Sequence, residues 1–119
     1  MPNYVAFLRG TKDAQADLGP NEAQQVLERY IAWSAELEKA GTLLGGGGLS
    51  ASKGCVLRMV DGALSSTDGP HTEATEIVGG YIAITADDLG HAEKLFSDHP
   101  HLEFGSIEIR KVGEKGCEA

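Results

Sequence analysis

The sequence predicts an α+β domain in which one antiparallel sheet carries two helices on one of its faces. Three observations predict this class. Segments with strand and helix patterns follow the order strand, long helix, hairpin, strand, helix, strand. An Asp61-Gly62 pair between two apolar runs is typical of a tight hairpin turn. A chain of 119 residues, 41% of them hydrophobic, suffices for one core. We therefore expect one domain over residues 1–112, followed by a flexible tail over 113–119.

The first strand is predicted at residues 3–9 from alternating apolar side chains. Tyr4 and Leu8 fall on one face, whereas Val5 and Phe7 fall on the other. Because both faces are apolar, both need to be covered.

The long helix is predicted to begin at Pro20 and to end before Gly41, which suits a left-handed C-cap. Trp33 lies beside the apolar stripe, where it can seal the edge of the core or stack on a ligand. The stripe residues recur at three- and four-residue steps: Ala23, Val26, Leu27, Tyr30, Ser34 and Leu37.

Four consecutive glycines, Gly45–Gly48, are predicted to form a flexible loop. They do not match a phosphate-binding loop, which needs Gly-Lys-Ser/Thr at the start of a helix. In the hairpin that follows, a two-residue turn pairs Met59 with Leu64 and places Asp68 opposite Cys55.

Three further elements complete the fold. A strand is predicted at 76–85, with a bulge or close backbone approach at the Gly79-Gly80 pair. A second helix is predicted to start at Asp87 or Asp88 as its N-cap and to end before Pro100. A last strand follows at 106–112, with its isoleucines pointing inward.

Composition excludes several classes of function. The net charge of −8 is unfavourable for binding nucleic acid. No apolar run approaches the about 20 residues of a membrane span, and the N-terminus lacks a secretory signal pattern, so we expect a cytoplasmic protein that binds neither membrane nor nucleic acid. The two cysteines belong to no C-x-x-C pair and are expected to be free thiols. No cofactor motif is present.

The predicted sheet has more apolar surface than two helices can cover. Two helices cover one face, yet several strands carry apolar residues on both faces. We therefore expect a two-fold homodimer that packs sheet face against sheet face.

The segment between the hairpin and the next strand reads Thr-Asp-Gly-Pro-His-Thr-Glu-Ala-Thr-Glu over residues 67–76, and Gly79-Gly80-Tyr81 follows. With Gly45–Leu49, Asp87-Asp88-Leu89 and Gly105–Val112, this pattern resembles the YCII-related family, in its branch with an Asp-Gly-Pro-Phe signature. The resemblance spans nearly the whole chain. It implies a ferredoxin-like fold that forms a dimeric α/β barrel, with Asp68 in the place of the family's candidate active-site aspartate.

Two departures from the signature change the chemistry of this segment. His71 stands where the signature has Phe, and Thr75 stands where Lys is usual. Asp68 could orient His71 as a general acid or base, which predicts Asp68 and His71 as catalytic residues. Asp68 could equally fix the shape of the turn by accepting backbone N–H groups.

Other residues are assigned weaker roles. Arg9, Trp33, Arg58, Glu73 and Glu76 are candidates for substrate binding, although both arginines could equally be surface charges.

A metal site built from Asp68, His71, Glu73 and either His99 or His101 is an alternative. Because these two histidines lack helical i, i+4 spacing, solvated capping residues are the other interpretation, and we predict no metal.

The sequence thus predicts a cleft near this loop that binds a small organic molecule. Fold analogy suggests acid–base catalysis of an isomerase or lyase type. The alternative from another class is a non-catalytic dimeric module that senses a ligand or serves as an accessory subunit.

Overall fold

The computed structural model describes residues 1–11, 13–69 and 76–119. In chain order, its elements are β1 Asn3–Gly10, α1 Pro20–Lys39, β2 Leu43–Gly48, β3 Gly54–Val60, β4 Ala63–Gly69, β5 Ile77–Thr85, α2 Leu89–Phe96, a 3₁₀ helix Pro100–Glu103 and β6 Ser106–Lys111.

The main sheet is antiparallel, with the strand order β2-β5-β1-β6. With α1 after β1 and α2 after β5, this is the ferredoxin-like arrangement, and the β3–β4 hairpin is inserted between its second and third strands. The predicted α+β class, with two helices on one face, is confirmed.

The core lies between that face of the sheet and both helices. Asp88 caps α2 by accepting a hydrogen bond from the backbone N–H of His91 at 2.8 Å, as predicted. Side chains from β1, β5 and both helices form the centre of the core: Tyr4, Ala6, Leu8, Ile82, Ile84, Leu37, Ala92 and Phe96.

The glycine segment differs from the prediction, because Gly45–Gly48 form most of edge strand β2 rather than a loop. At Gly46 (φ +153°) a Cβ would lie 2.5 Å from the carbonyl oxygen of Tyr81 on β5. Glycine therefore lets the two backbones come close enough to pair here. The predicted irregularity at Gly79 is confirmed, since the register between β1 and β5 shifts between Leu8 and Arg9.

Helix α1 has the predicted ends but buries only part of the predicted stripe. Val26 and Leu37 are buried, whereas Ala23 is exposed and Leu27 keeps 51% of its surface exposed. Strand β2, beside this part of the helix, consists largely of glycines and offers few side chains to pack against.

The hairpin has the predicted register, including Met59 opposite Leu64 and Asp68 opposite Cys55. Asp61 and Gly62 both have positive φ, as a tight turn of this kind requires. The expectation of a single sheet is wrong, however, because β3 and β4 form a separate two-stranded sheet. Strand β2 occupies the free edge of β5 that the hairpin would otherwise need.

The two cysteines and the chain end complete the description. Cys55 and Cys117 are free thiols, as predicted, and both are exposed. After β6 the chain turns back, and Lys111 Nζ donates to both carboxylate oxygens of Glu118, at 2.7 and 3.0 Å. The flexibility of residues 113–119 stays a prediction. Among the helices of the described ranges, none has the length and apolar character needed to span a membrane.

Candidate functional site

A cavity of about 270 Å³, the first cavity, lies where β1 and β5 meet the segment that leads into α1. Ile77, at the start of β5, lines it, so the cavity adjoins the point where the predicted site loop enters the sheet. Its walls are mainly apolar and include Leu8, Ala14, Ile77 and Phe104, with the side chains of Tyr30 and His101 between them.

Tyr30 and His101 form a hydrogen-bonded pair at the wall of this cavity. The Tyr30 hydroxyl oxygen lies 3.0 Å from His101 Nδ1, and His101 Nε2 lies 2.8 Å from the carbonyl oxygen of Arg9. Because a carbonyl oxygen can only accept, Nε2 carries a proton. In the neutral ring Nδ1 is then an acceptor, and Tyr30 donates to it.

Local sequence explains how His101 reaches this position. Pro100 starts the 3₁₀ helix, and the side chain of His99 caps it by accepting from the backbone N–H of His101 at 2.9 Å. A Cβ at Gly105 would collide with the carbonyl oxygen of Arg9 and lie 3.0 Å from His101 Nε2. The absence of a side chain at Gly105 therefore allows the bond between His101 and β1.

Burial raises the pKa of the Tyr30 hydroxyl, against smaller lowering effects from a hydrogen bond with Gln15 and from the charge of Arg29. Glu103, which forms an ion pair with Arg29 at 2.6 Å, adds a small raising effect. The phenol therefore stays protonated at neutral pH. The Tyr30 hydroxyl can pass its proton to His101 Nδ1 while its oxygen accepts a second proton from a bound molecule, and this is the arrangement of a proton relay.

Arg9 and Glu76, both predicted as substrate-binding residues, are brought together on the other face of the sheet. The Arg9 guanidinium lies 3.2 Å from a carboxylate oxygen of Glu76 and 3.2 Å from one of Glu108. The two glutamate carboxylates thus occupy the positions on the Arg9 guanidinium that a ligand carboxylate would take.

Of the remaining predicted residues, those that the structure describes do not line the first cavity. Asp68 and Arg58 lie exposed on the hairpin, and His71 and Glu73 fall outside the described residues. Trp33 stacks on Phe96 with ring centroids 5.0 Å apart, and its Nε1 donates to Asp98 Oδ1 at 3.0 Å. This placement corresponds to the core-sealing interpretation of Trp33.

The sequence interpretation of the two histidines after α2 needs correction. His99 does cap, but neither ring is solvated, because His99 and His101 are only 3% and 9% exposed. Within the described ranges there is no group of three or more metal-ligating side chains. The His-Pro-His pattern is the sequence signal that indicates this arrangement. Its proline starts a short helix, and its first histidine accepts a hydrogen bond from the backbone N–H two residues later.

These features define a class: a ferredoxin-like domain with a small, largely apolar cavity at one end of its sheet. Within that class, the chain belongs to the YCII-related domain family, which matches residues 4–114. The resemblance drawn from the sequence is thereby confirmed.

Comparison with individual proteins adds little more. No curated protein matches the chain in sequence. One similar solved structure is that of 5-chloro-2-hydroxyhydroquinone dehydrochlorinase from Burkholderia phenoliruptrix, in complex with 2,5-dihydroxybenzoquinone. It is 15% identical, with a TM-score of 0.47 over 98% of this chain and 100% of that chain.

Proposed function

We propose that the protein binds a small, uncharged organic molecule in the first cavity. The observation that carries the proposal is the Tyr30–His101 hydrogen bond at the wall of an otherwise mainly apolar cavity. A cavity of about 270 Å³ is close to the lower end of the range of ligand sites, roughly 300–1,000 Å³, so the ligand is small. The net charge of −8 disfavours an anion.

Acid–base chemistry is the reaction type that this pair supports. A bound substrate with an acidic O–H or C–H group gives its proton to the Tyr30 oxygen, while the Tyr30 proton moves to His101 Nδ1. The products are a substrate anion and an imidazolium whose Nε2–H remains bonded to the carbonyl of Arg9. Return of the proton to another substrate atom completes an isomerisation without any redox partner.

The predicted catalytic pair Asp68 and His71 remains a second hypothesis for the same reaction class. Asp68 is exposed near the end of β4, nine positions before Ile77, where β5 starts. Its participation requires that the intervening loop bring His71 over the first cavity. Replacing Asp68 by Asn tests this, because a purely structural Asp68 leaves ligand binding and its pH profile unchanged.

The open face of the main sheet and the hairpin support a homodimer. Val5, Phe7 and Tyr81 face away from the helices, and one face of the hairpin exposes Met59 and Leu64. The radius of gyration, 16.3 Å, exceeds the roughly 13.5 Å expected for a compact chain of this length. A two-stranded hairpin is marginal by itself, so a second copy is the partner that we propose for these surfaces.

Sedimentation equilibrium at micromolar concentration tests the dimer. We expect twice the protomer mass of 12.5 kDa. A particle of protomer mass at every concentration contradicts the proposal.

A non-catalytic ligand-sensing or accessory module is the second candidate function. It is favoured by the position of Asp68, which is exposed on the hairpin and is absent from the described lining of the first cavity. In that case the ligand binds and leaves chemically unchanged. NMR spectra of a bound ligand in D₂O separate the two candidates, since only the enzyme exchanges an acidic C–H proton of the ligand for deuterium.

A cavity-filling variant tests the binding proposal. Fragments that raise the melting temperature of the native protein are expected to lose this effect in Ala14→Leu, since Ala14 lines the first cavity. Ala16→Leu, two residues away at an exposed position, is the matched control and should retain it. Equal fragment binding by both variants contradicts the assignment of the ligand to the first cavity.

A further inference from the structure

A second cavity, of about 510 Å³, lies between α1 and the glycine strand β2. Leu27 and Ile31 of α1 line it with 51% and 59% of their surfaces exposed, and Leu43 and the backbone of Gly45–Gly48 form the opposite wall. Tyr30 lines both cavities, so the two are neighbours. The volume is within the usual range of ligand sites.

His99 is the polar group of this second cavity. It is only 3% exposed, and its ring packs edge-on against Tyr30 and Trp33, with centroids 5.1 and 4.5 Å apart. Its Nδ1 accepts from the backbone N–H of His101, so Nδ1 carries no proton. Burial, followed by the neighbouring charge of His101, lowers the pKa of His99 to about 4, against a weaker raising effect of Asp98. At neutral pH the ring is therefore neutral, with its proton on Nε2.

The Nε2–H of His99 has no hydrogen-bond partner in the part of the chain that the structure describes. No side-chain nitrogen or oxygen in these ranges is both fully enclosed and unpaired, so Nε2 must contact open space. Because His99 is almost wholly buried and lines the second cavity, that space is the cavity. A buried donor in such a position lacks a hydrogen bond that a ligand acceptor can supply.

We propose that the second cavity is a binding site for an uncharged, apolar molecule that carries a carbonyl oxygen, which accepts the Nε2–H of His99. The apolar walls match the body of the molecule, and the single donor matches one acceptor oxygen. The carboxylate of Glu38 also lines the cavity and disfavours a carboxylate ligand. This site is distinct from the first cavity.

Three fluorinated probes of similar size test the site by ¹⁹F NMR titration of the full chain. They are 4′-fluoroacetophenone, 1-ethyl-4-fluorobenzene, which lacks the carbonyl, and 4-fluorobenzoate, which is an anion. We expect the ketone to bind about fivefold to tenfold more tightly than the hydrocarbon, the gain of one neutral hydrogen bond. The benzoate is expected to bind more weakly than either.

Two substitutions locate the effect. His99→Asn keeps a side-chain oxygen that can cap the 3₁₀ helix but removes Nε2–H, and it should abolish the preference for the ketone. Gly48→Leu should weaken both neutral probes at least tenfold, because Gly48 pairs with buried Gly80 on the helix side of β2 and a Cβ there meets nothing within 4 Å. Ala51→Leu is the control, since Ala51 is exposed and does not line the second cavity.

Equal affinity for ketone and hydrocarbon overturns the proposal, as does failure of the ketone to bind or its indifference to Gly48→Leu. If the ketone loses affinity in Ala14→Leu but not in Gly48→Leu, it occupies the first cavity. That result overturns the present inference and leaves the proposed function intact. Conversely, if no fragment binds in the first cavity but the ketone still binds in the second, the proposed function is contradicted and the present inference stands.

Discussion

Acid should lower the free energy of unfolding of the native protein through protonation of His99, and the substitution His99→Asn should remove this contribution. The native pKa of His99, about 4, lies below the ordinary value of 6.5. Between these values the unfolded chain binds a proton that the native chain does not, so the contribution of His99 is fully present above pH 6.5 and is lost as the pH falls toward 4. The linkage relation gives a loss of about 1 kcal/mol at pH 5.5 and roughly 2 to 3 kcal/mol at pH 4.5.

Urea unfolding at pH 7.5, 5.5 and 4.5 measures this loss. Carboxylates titrate over the same range, so the relevant quantity is the difference between the native protein and His99→Asn, which lacks the imidazole. The free energy of unfolding of the native protein should fall by roughly 2 to 3 kcal/mol more than that of the variant between pH 7.5 and pH 4.5. Parallel pH dependences of the two proteins would refute the assignment of a buried, neutral His99.

Two further predictions concern the fold around the cavities. Tyr30→Phe leaves the Nδ1 acceptor of buried His101 without its donor and should cost about 1–3 kcal/mol in urea unfolding, whereas Tyr81→Phe, at a half-exposed ring, should cost less than about 0.5 kcal/mol. An equal cost at both positions contradicts the Tyr30–His101 bond. Gly46→Ala should lower the melting temperature by at least about 5 °C relative to Gly45→Ala, because only the former places a Cβ against the carbonyl oxygen of Tyr81. Equal melting temperatures argue against the close approach of β2 and β5.

Local rules predicted much of the fold from the sequence. The Asp61-Gly62 turn set the register of the whole hairpin, and Asp88 was placed as a helix cap. Gly45–Gly48 were misassigned because strand propensity depends mainly on side-chain packing, and glycine has no side chain to contribute. Their pairing with β5 is a tertiary interaction, and no local pattern encodes it.

The candidate site was harder to predict, since its members come from distant parts of the chain. Tyr30 was recognised only as a stripe residue, and His101 reaches it across 71 positions. The contact between the two residues depends on how α1 meets the 3₁₀ helix, which sequence spacing does not report. The loop signature instead predicts Asp68 and His71 as site residues, because a short motif is visible without knowledge of the fold.

Methyl NMR of the native protein, titrated with the fragments that stabilise it, tests the central claim most directly. The account predicts that the shifts concentrate on the methyl groups of Leu8, Ala14 and Ile77 around the first cavity. Shifts confined to the hairpin, around Met59 and Leu64, would show instead that the first cavity is not the ligand site.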